Sequence, residues 1–200
     1  MGISGLAFSC RIIGDFVKDN FLTVKDIFCE YSGDAEKVII PDGITMIRSS
    51  CFSGNENLKE ISLPVGLEYI DSNAFSGCNN LKKIDIPDSV TMIEQNAFGY
   101  CKSLEKVKLP ESLKVISTHT FVWCKKLKNV VMPKDTEWIQ EGAFAYCFEL
   151  ESIRIPETIK KIDEFAFNNC ISLKKVNLPA NIDIHRLTFA GCDNLTVEWY

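Results

Sequence analysis

The chain has 200 residues, 46% of them hydrophobic and 24% charged, with a formal net charge of −5 at pH 7. That length and mixture support one packed domain and exclude a disordered or fibrous chain. The acidic balance argues against nucleic acid as a partner, and no apolar run reaches the roughly 18 residues that a membrane-spanning helix requires.

Residues 1–37 read as an N-terminal capping segment. Met1 to Asn20 has no basic stretch ahead of an apolar core, so a secreted form would carry its signal outside these 200 residues. Ile3, Ala7 and Phe8 reproduce part of a pattern that recurs later, which suggests a truncated, degenerate repeat. The competing reading is an amphipathic capping helix over residues 4–18, followed by a hairpin. Either would cover the open core of the first repeat.

From Val38 to Val197 the chain is periodic. All seven prolines, Pro41, Pro64, Pro87, Pro110, Pro133, Pro156 and Pro179, step by 23 residues. Chance agreement of that kind has a probability on the order of 10⁻⁸, so the 23-residue unit is real. Phe52, Phe75, Phe98, Phe121, Phe144 and Phe167 keep the same step, and Phe189 follows after 22. Seven units result, the last one residue short.

Within one unit, Lys83 to Ile86 alternates as a half-buried strand should, with Ile84 and Ile86 inward and Lys83 and Asp85 outward. Pro87 has no N–H to donate and ends the strand. Val90, Ile93, Ala97, Phe98 and Cys101 then follow with spacings of three, four, one and three, which predict a short helical or 3₁₀ turn with one face buried. One unit cannot bury both faces alone. Stacked copies do so by aligning like residues into columns. The small slot held by Ala74, Ala97, Ala143 and Ala166, and by Cys51 and Thr120, is where turns approach most closely.

The run Ile86-Pro87-Asp88-Ser89-Val90-Thr91-Met92-Ile93, continued by Ala97-Phe98 and Cys101, resembles the BspA-like, Treponema-type leucine-rich repeats. The resemblance covers about four-fifths of the chain. Tyr31 to Thr45 looks like the lead-in hairpin such proteins place before the first full repeat. The resemblance implies an α/β repeat solenoid, a right-handed leucine-rich-repeat superhelix. Its parallel β-sheet would line the concave side and its short helical or 3₁₀ turns the convex side. It also implies bacterial cell-surface or secreted proteins, with some protozoan relatives, whose usual role is adhesion or protein binding.

Residues 198–200 complete a last strand, Thr196 to Tyr200, with no cap after it. Its unpaired edge is a template for a homodimer contact or for further chain.

No residues here form a catalytic constellation. His119 and His185 occupy different positions of the unit, about 14 Å or more apart by rung count, too far to share a reaction centre. Nucleophile elbow, phosphate loop and paired-carboxylate motifs are lacking. Cys78, Cys101, Cys124, Cys147, Cys170 and Cys192 form a column of small buried thiols, in which parallel side chains disfavour disulfide torsions. Without a Cys-x-x-Cys or Cys/His cluster, neither metal nor cofactor is expected. Cys10 and Cys29, outside the repeats, are either a disulfide pair or free thiols.

Two surfaces carry the functional expectation. Outward strand positions hold Lys59, Lys82, Lys83, Lys106, Lys108, Lys128, Arg154, Lys174 and Lys175 against Glu60, Asp85, Glu105, Glu151 and Glu198. That is a basic strip on an acidic body, suited to an acidic protein or glycan partner, against the plainer reading of mixed surface charge. The residue before each ladder cysteine gives a second row, in which Tyr100, Trp123 and Tyr146 are consecutive, with Phe148 and Ile171 beside it. These rings either form an exposed interaction stripe or pack on one another and the adjoining turn. A third row, Tyr69, Met92, Val115 and Trp138, precedes the buried isoleucine column. The leading expectation is a non-enzymatic binding module that contacts host or matrix proteins from a bacterial surface. An intracellular scaffold and a passive structural spacer are the alternatives.

Overall fold

Pro87 ends a three-residue strand, Lys83–Asp85, in which only Ile84 is buried, and the same strand recurs in every turn. A computed structural model describes residues 17–18, 21–180 and 182–200, and these build a parallel β-solenoid of about seven turns. Lys106 pairs with Lys83 on one side and with Asn129 on the other, so neighbouring turns stack in register at the period of the sequence. Six such strands, from Lys83–Asp85 to Thr196–Trp199, form one parallel sheet. Lys37–Ile39 and Glu60–Ser62 pair ahead of it. The last strand is shorter in register than the proline step suggests. Lys175 pairs with Thr196, 21 residues on, because one residue is lost between Pro179 and Phe189 and a second between Leu195 and Val197, relative to the spacing from Leu173 to Val176.

The turns are not helical. Among the described residues no helix occurs, and the stretch after Pro87 contains a second short parallel strand, Met92–Ile93. Its counterparts Met46–Ile47 and Tyr69–Ile70 join it in one sheet, and Val115–Ile116 to Asp183–Ile184 form a four-stranded sheet further on. The backbone explains the difference. The N–H of Phe98 bonds across to the Thr120 carbonyl and that of Tyr100 to Val122, while Gly99 and Cys101 close local turns onto Asn96 and Phe98. Alternate amides thus belong to the neighbouring turn, and Asn96 and Tyr100 take left-handed conformations, with φ of 56° and 61°, that no helix tolerates. The 3–4–1–3 spacing reflected one buried face, but a chain of turns supplies it.

Phe52, Phe75, Phe98, Phe121, Phe144, Phe167 and Phe189 stack face to face, with centroids 5.1 to 5.5 Å apart. Stacked columns of Leu, Ile and Val complete the core. The cysteine column lies beside the phenylalanines, and each thiol from Cys78 to Cys192 donates to the carbonyl of a phenylalanine in the preceding turn, as Cys101 does to Phe75 at 3.1 Å. Burial pushes the Cys78 thiol up to about 12 and holds those of Cys101, Cys124 and Cys147 well above the ordinary range.

Ahead of the first turn, Val17–Lys18, Phe21–Val24 and Ile27–Tyr31 form an antiparallel meander, and Ile27–Tyr31 then pairs in parallel with Met46–Ile47. The hairpin therefore lies earlier than Tyr31 to Thr45, which instead contains the first strand of the main face. Phe28 stacks on Phe52 at 5.5 Å, so the meander adds one more ring to the phenylalanine column. Apart from Val17–Lys18, the helix or degenerate repeat expected near the start lies outside the described residues, as does any pairing of Cys10.

Candidate partner-binding surfaces

The turn after each phenylalanine needs a left-handed residue two positions on. Gly54, Gly77 and Gly191 meet that need without steric cost and Asn169 at little, but Tyr100, Trp123 and Tyr146 hold φ of 61° or 62° at the same place. Bulky residues in this conformation cost about 1–2 kcal/mol each. Their rings project from three successive turns and stack, Tyr100 on Trp123 at 6.4 Å and Trp123 on Tyr146 at 4.3 Å, within 9° of parallel. Phe148 packs edge-on against both Trp123 and Tyr146. The row thus packs on itself and still meets solvent. Tyr100 is 45% exposed, and Ile171, one turn beyond Phe148, is 54% exposed.

Lysines border this stripe. The ammonium of Lys125 lies 5.1 Å over the Trp123 ring and 5.7 Å over that of Phe148. Lys102 occupies the position matching Lys125, just after its ladder cysteine, and Lys126 follows Lys125 in the chain; among the described residues none of the three forms an ion pair. Charge taken along the strands alone does not single out these lysines. The column Asn79, Lys102, Lys125, Phe148, Ile171, one residue beyond the cysteines, was the available signal.

On the strand face, the expected basic residues all point outward, as the exposed–buried–exposed pattern of each three-residue strand requires. Much of their charge is met within the molecule. Lys83 pairs with Asp85 at 2.7 Å, Lys108 with Asp88 at 3.1 Å and Lys175 with Glu198 at 2.7 Å. Lys106 has no carboxylate partner among the described residues. The Arg154 guanidinium sits 5.5 Å over the ring of Tyr200, whose hydroxyl donates to the carbonyl of Ile155. Tyr200 therefore reaches back over the strand face and, with Val131, Met132 and Arg154, borders an open groove of about 670 Å³. The structure does not bring the strand lysines and the aromatic stripe together. The lysines lie on the three-residue strands and the rings on the turns.

The third row satisfies its own polar edges. Tyr69 donates to Glu94 at 3.0 Å, and burial with that bond pushes its hydroxyl up to about 12. Trp138 donates from Nε1 to Asp163 at 2.9 Å, while Lys161 lies 4.9 Å over the indole and pairs with the same carboxylate at 2.8 Å. His119 is exposed and lies against Gly142 of the next turn. Among the described residues no group of three His, Cys, Asp or Glu is placed to hold a metal ion, and no helix is long and apolar enough to cross a membrane.

A parallel solenoid that turns every 23 residues on columns of leucine, isoleucine and phenylalanine is a leucine-rich-repeat protein. Six copies of the BspA type leucine rich repeat region match residues 23–147 and 114–197, and the chain belongs to that family. Among curated proteins, none matches the sequence. The fold is similar to that of a leucine-rich repeat protein from Eubacterium ventriosum, with a TM-score of 0.77 at 26% identity over 86% of this chain and 50% of that one. A leucine-rich cell surface protein from Faecalibacterium prausnitzii gives 0.60 at 25% identity over 82% and 59%. The leucine-rich repeat protein of T. pallidum gives 0.58 at 24% over 90% and 78%. The chain thus spans half to three-fifths of the first two proteins. Leucine-rich repeat domains are generally protein-interaction modules.

Proposed function

We propose that the chain is the binding module of a bacterial cell-surface or secreted protein, and that it contacts host or matrix proteins without catalysing a reaction. The observation that carries this reading is the Tyr100–Trp123–Tyr146 row. Three consecutive turns place large rings where four others place glycine or asparagine, at a backbone cost that stacking only partly offsets. Strain retained on a surface is a sign of use. Lys106 and Arg154 on the strand face offer a second, more polar contact area. The F. prausnitzii neighbour, described as a cell surface protein, supports the location.

The test is binding of the purified chain to a panel of immobilised host matrix proteins, compared with a Trp123→Ala, Lys106→Glu variant. Saturable binding that the variant loses at least tenfold supports the assignment. Variant binding equal to the parent's removes these contacts, and no saturable binding to any panel member leaves a spacer role. A cytoplasmic scaffold is the second reading. It is favoured by the eight free cysteines among the described residues, which suit a reducing compartment. Protease treatment of intact cells separates the two, since only a surface protein is cleaved.

A further inference from the structure

The stripe differs from the molecule's other aromatic row in what its polar edges meet. Tyr69 and Trp138 each donate to a carboxylate of the next turn. The Tyr100 hydroxyl, the Trp123 Nε1–H and the Tyr146 hydroxyl have no hydrogen-bond partner among the described residues, although all are rings of the same kinds in a matching stacked setting. Trp138 shows what a completed arrangement looks like. A lysine covers the indole, and one carboxylate pairs with that lysine while accepting from the indole N–H. Trp123 has the first half of this arrangement, Lys125 over its face at 5.1 Å, and no Asp or Glu of the described residues supplies the second.

We propose that the stripe is a carboxylate-binding surface, and that its partner is an extended acidic segment of another protein. The proposal rests on the reading of the chain as a binding module and names the chemistry of its partner. Three features favour negative charge at one place. Lys102, Lys125 and Lys126 are without carboxylate partners among the described residues, on a chain whose net charge is −5. The Trp123 ring has Tyr100 and Tyr146 stacked on it and Lys125 5.1 Å from its centroid, which leaves its edge for a partner, and ring edges carry the positive end of the aromatic quadrupole. The three ring donors lie a turn apart on partly exposed side chains, open to acceptors from a partner. Glu149, which follows Phe148 in the chain, is already paired with Lys128 at 3.6 Å. Apolar contact comes from Phe148 and from Ile171, which selects a peptide that alternates acidic and aliphatic residues over a purely anionic polymer. Two ring-to-ring steps cover roughly 10 Å, the length of about three residues of extended chain.

The experiment is fluorescence anisotropy of the whole chain with three labelled probes: an alternating Asp-Leu octapeptide, its Asn-Leu counterpart, and a heparin oligosaccharide. The Asp-Leu peptide is expected to bind and to weaken at least tenfold when sodium chloride rises from 50 to 300 mM, with the Asn-Leu peptide at least tenfold weaker throughout. Lys102→Gln, Lys125→Gln and Lys126→Gln together are expected to weaken the peptide about tenfold or more. Trp123→Phe, which keeps the ring and removes the donor, is expected to weaken it several-fold, with Trp138→Phe unchanged. Equal binding of the two peptides, a triple variant that binds like the parent, or heparin bound in place of the peptide each overturns the proposal. Peptide binding without any matrix-protein binding would reject the host-contact reading and leave this one standing.

Discussion

The indole of Trp123 lies parallel to the ring of Tyr146 at 4.3 Å, while the two residues hold φ of 61° and 62°. Stacking and backbone conformation therefore act against each other at one residue, and two substitutions separate them. Trp123→Ala loses the stack, worth about 0.5–1.5 kcal/mol, and keeps most of the left-handed penalty. Trp123→Gly loses the same stack and relieves that penalty. In urea unfolding the glycine variant should be about 1 kcal/mol more stable than the alanine variant and close to the parent. An alanine variant as stable as the glycine one would show that position 123 is unstrained.

That conformation also marks where the sequence was legible and where it was not. The period, the strand beginning at Lys83, the proline stop and the phenylalanine and cysteine columns all follow from spacing, because each is a repeated burial pattern. The turns do not, because a buried face on a chain of turns has the same spacing as one on a short helix. The signal that distinguishes them lies in residue type. Ser50, Asn73, Asn96 and Gly142 share one register position, and Gly54, Gly77, Asn169 and Gly191 share another, which is the signature of left-handed residues. Tyr100, Trp123 and Tyr146 interrupt the second series, so the aromatic row concealed the turn geometry that makes it unusual. The outward direction of the strand charges follows from the alternation, but Lys83, Lys108 and Lys175 lie beside carboxylates that pattern alone does not pair with them.

The phenylalanine column should respond to truncation as a packed core does. Phe121 is fully buried between Phe98 at 5.5 Å and Phe144 at 5.4 Å. Phe121→Ala removes the ring from both contacts and should cost about 3–5 kcal/mol. Turns in a solenoid contact only their neighbours, so the loss should also broaden the urea transition or split it into two steps. A sharp transition shifted by less than 1 kcal/mol would mean that the column tolerates gaps.

Gly142 is favoured for two separable reasons. Its φ is 58°, and a Cβ added there would lie 2.3 Å from Cδ2 of the His119 ring in the preceding turn. Gly142→Ala should therefore destabilise the chain by more than the roughly 1 kcal/mol of the backbone effect alone. Removing the ring in His119→Gly, Gly142→Ala should recover the steric part and leave the backbone part. Thermal unfolding of the two single variants and the double variant forms a cycle with a non-zero coupling. Strict additivity would show that the histidine ring swings aside at no cost.

The thiol column makes stability fall in alkali. Cys78 ionises near 9.0 in an open chain and at about 12 when folded, and Cys101, Cys124 and Cys147 are raised in the same direction by burial. Above pH 9 the unfolded chain releases these protons while the folded chain retains them, so the folded state binds more protons and loses stability as pH rises. Below pH 9 both states are protonated and the contribution is complete. Each thiol contributes a slope of up to about 1.4 kcal/mol per pH unit across that window. Urea unfolding in reducing buffer should show constant stability from pH 7.5 to 8.5 and a steep decline from 9.5 to 10.5. Cys124→Ala lowers the overall level, but its decline should be shallower by about 1.4 kcal/mol per pH unit. Every other side chain is common to the two proteins, so the difference in slope isolates the one thiol. Parallel declines would mean that Cys124 ionises in the folded chain as readily as in the open one.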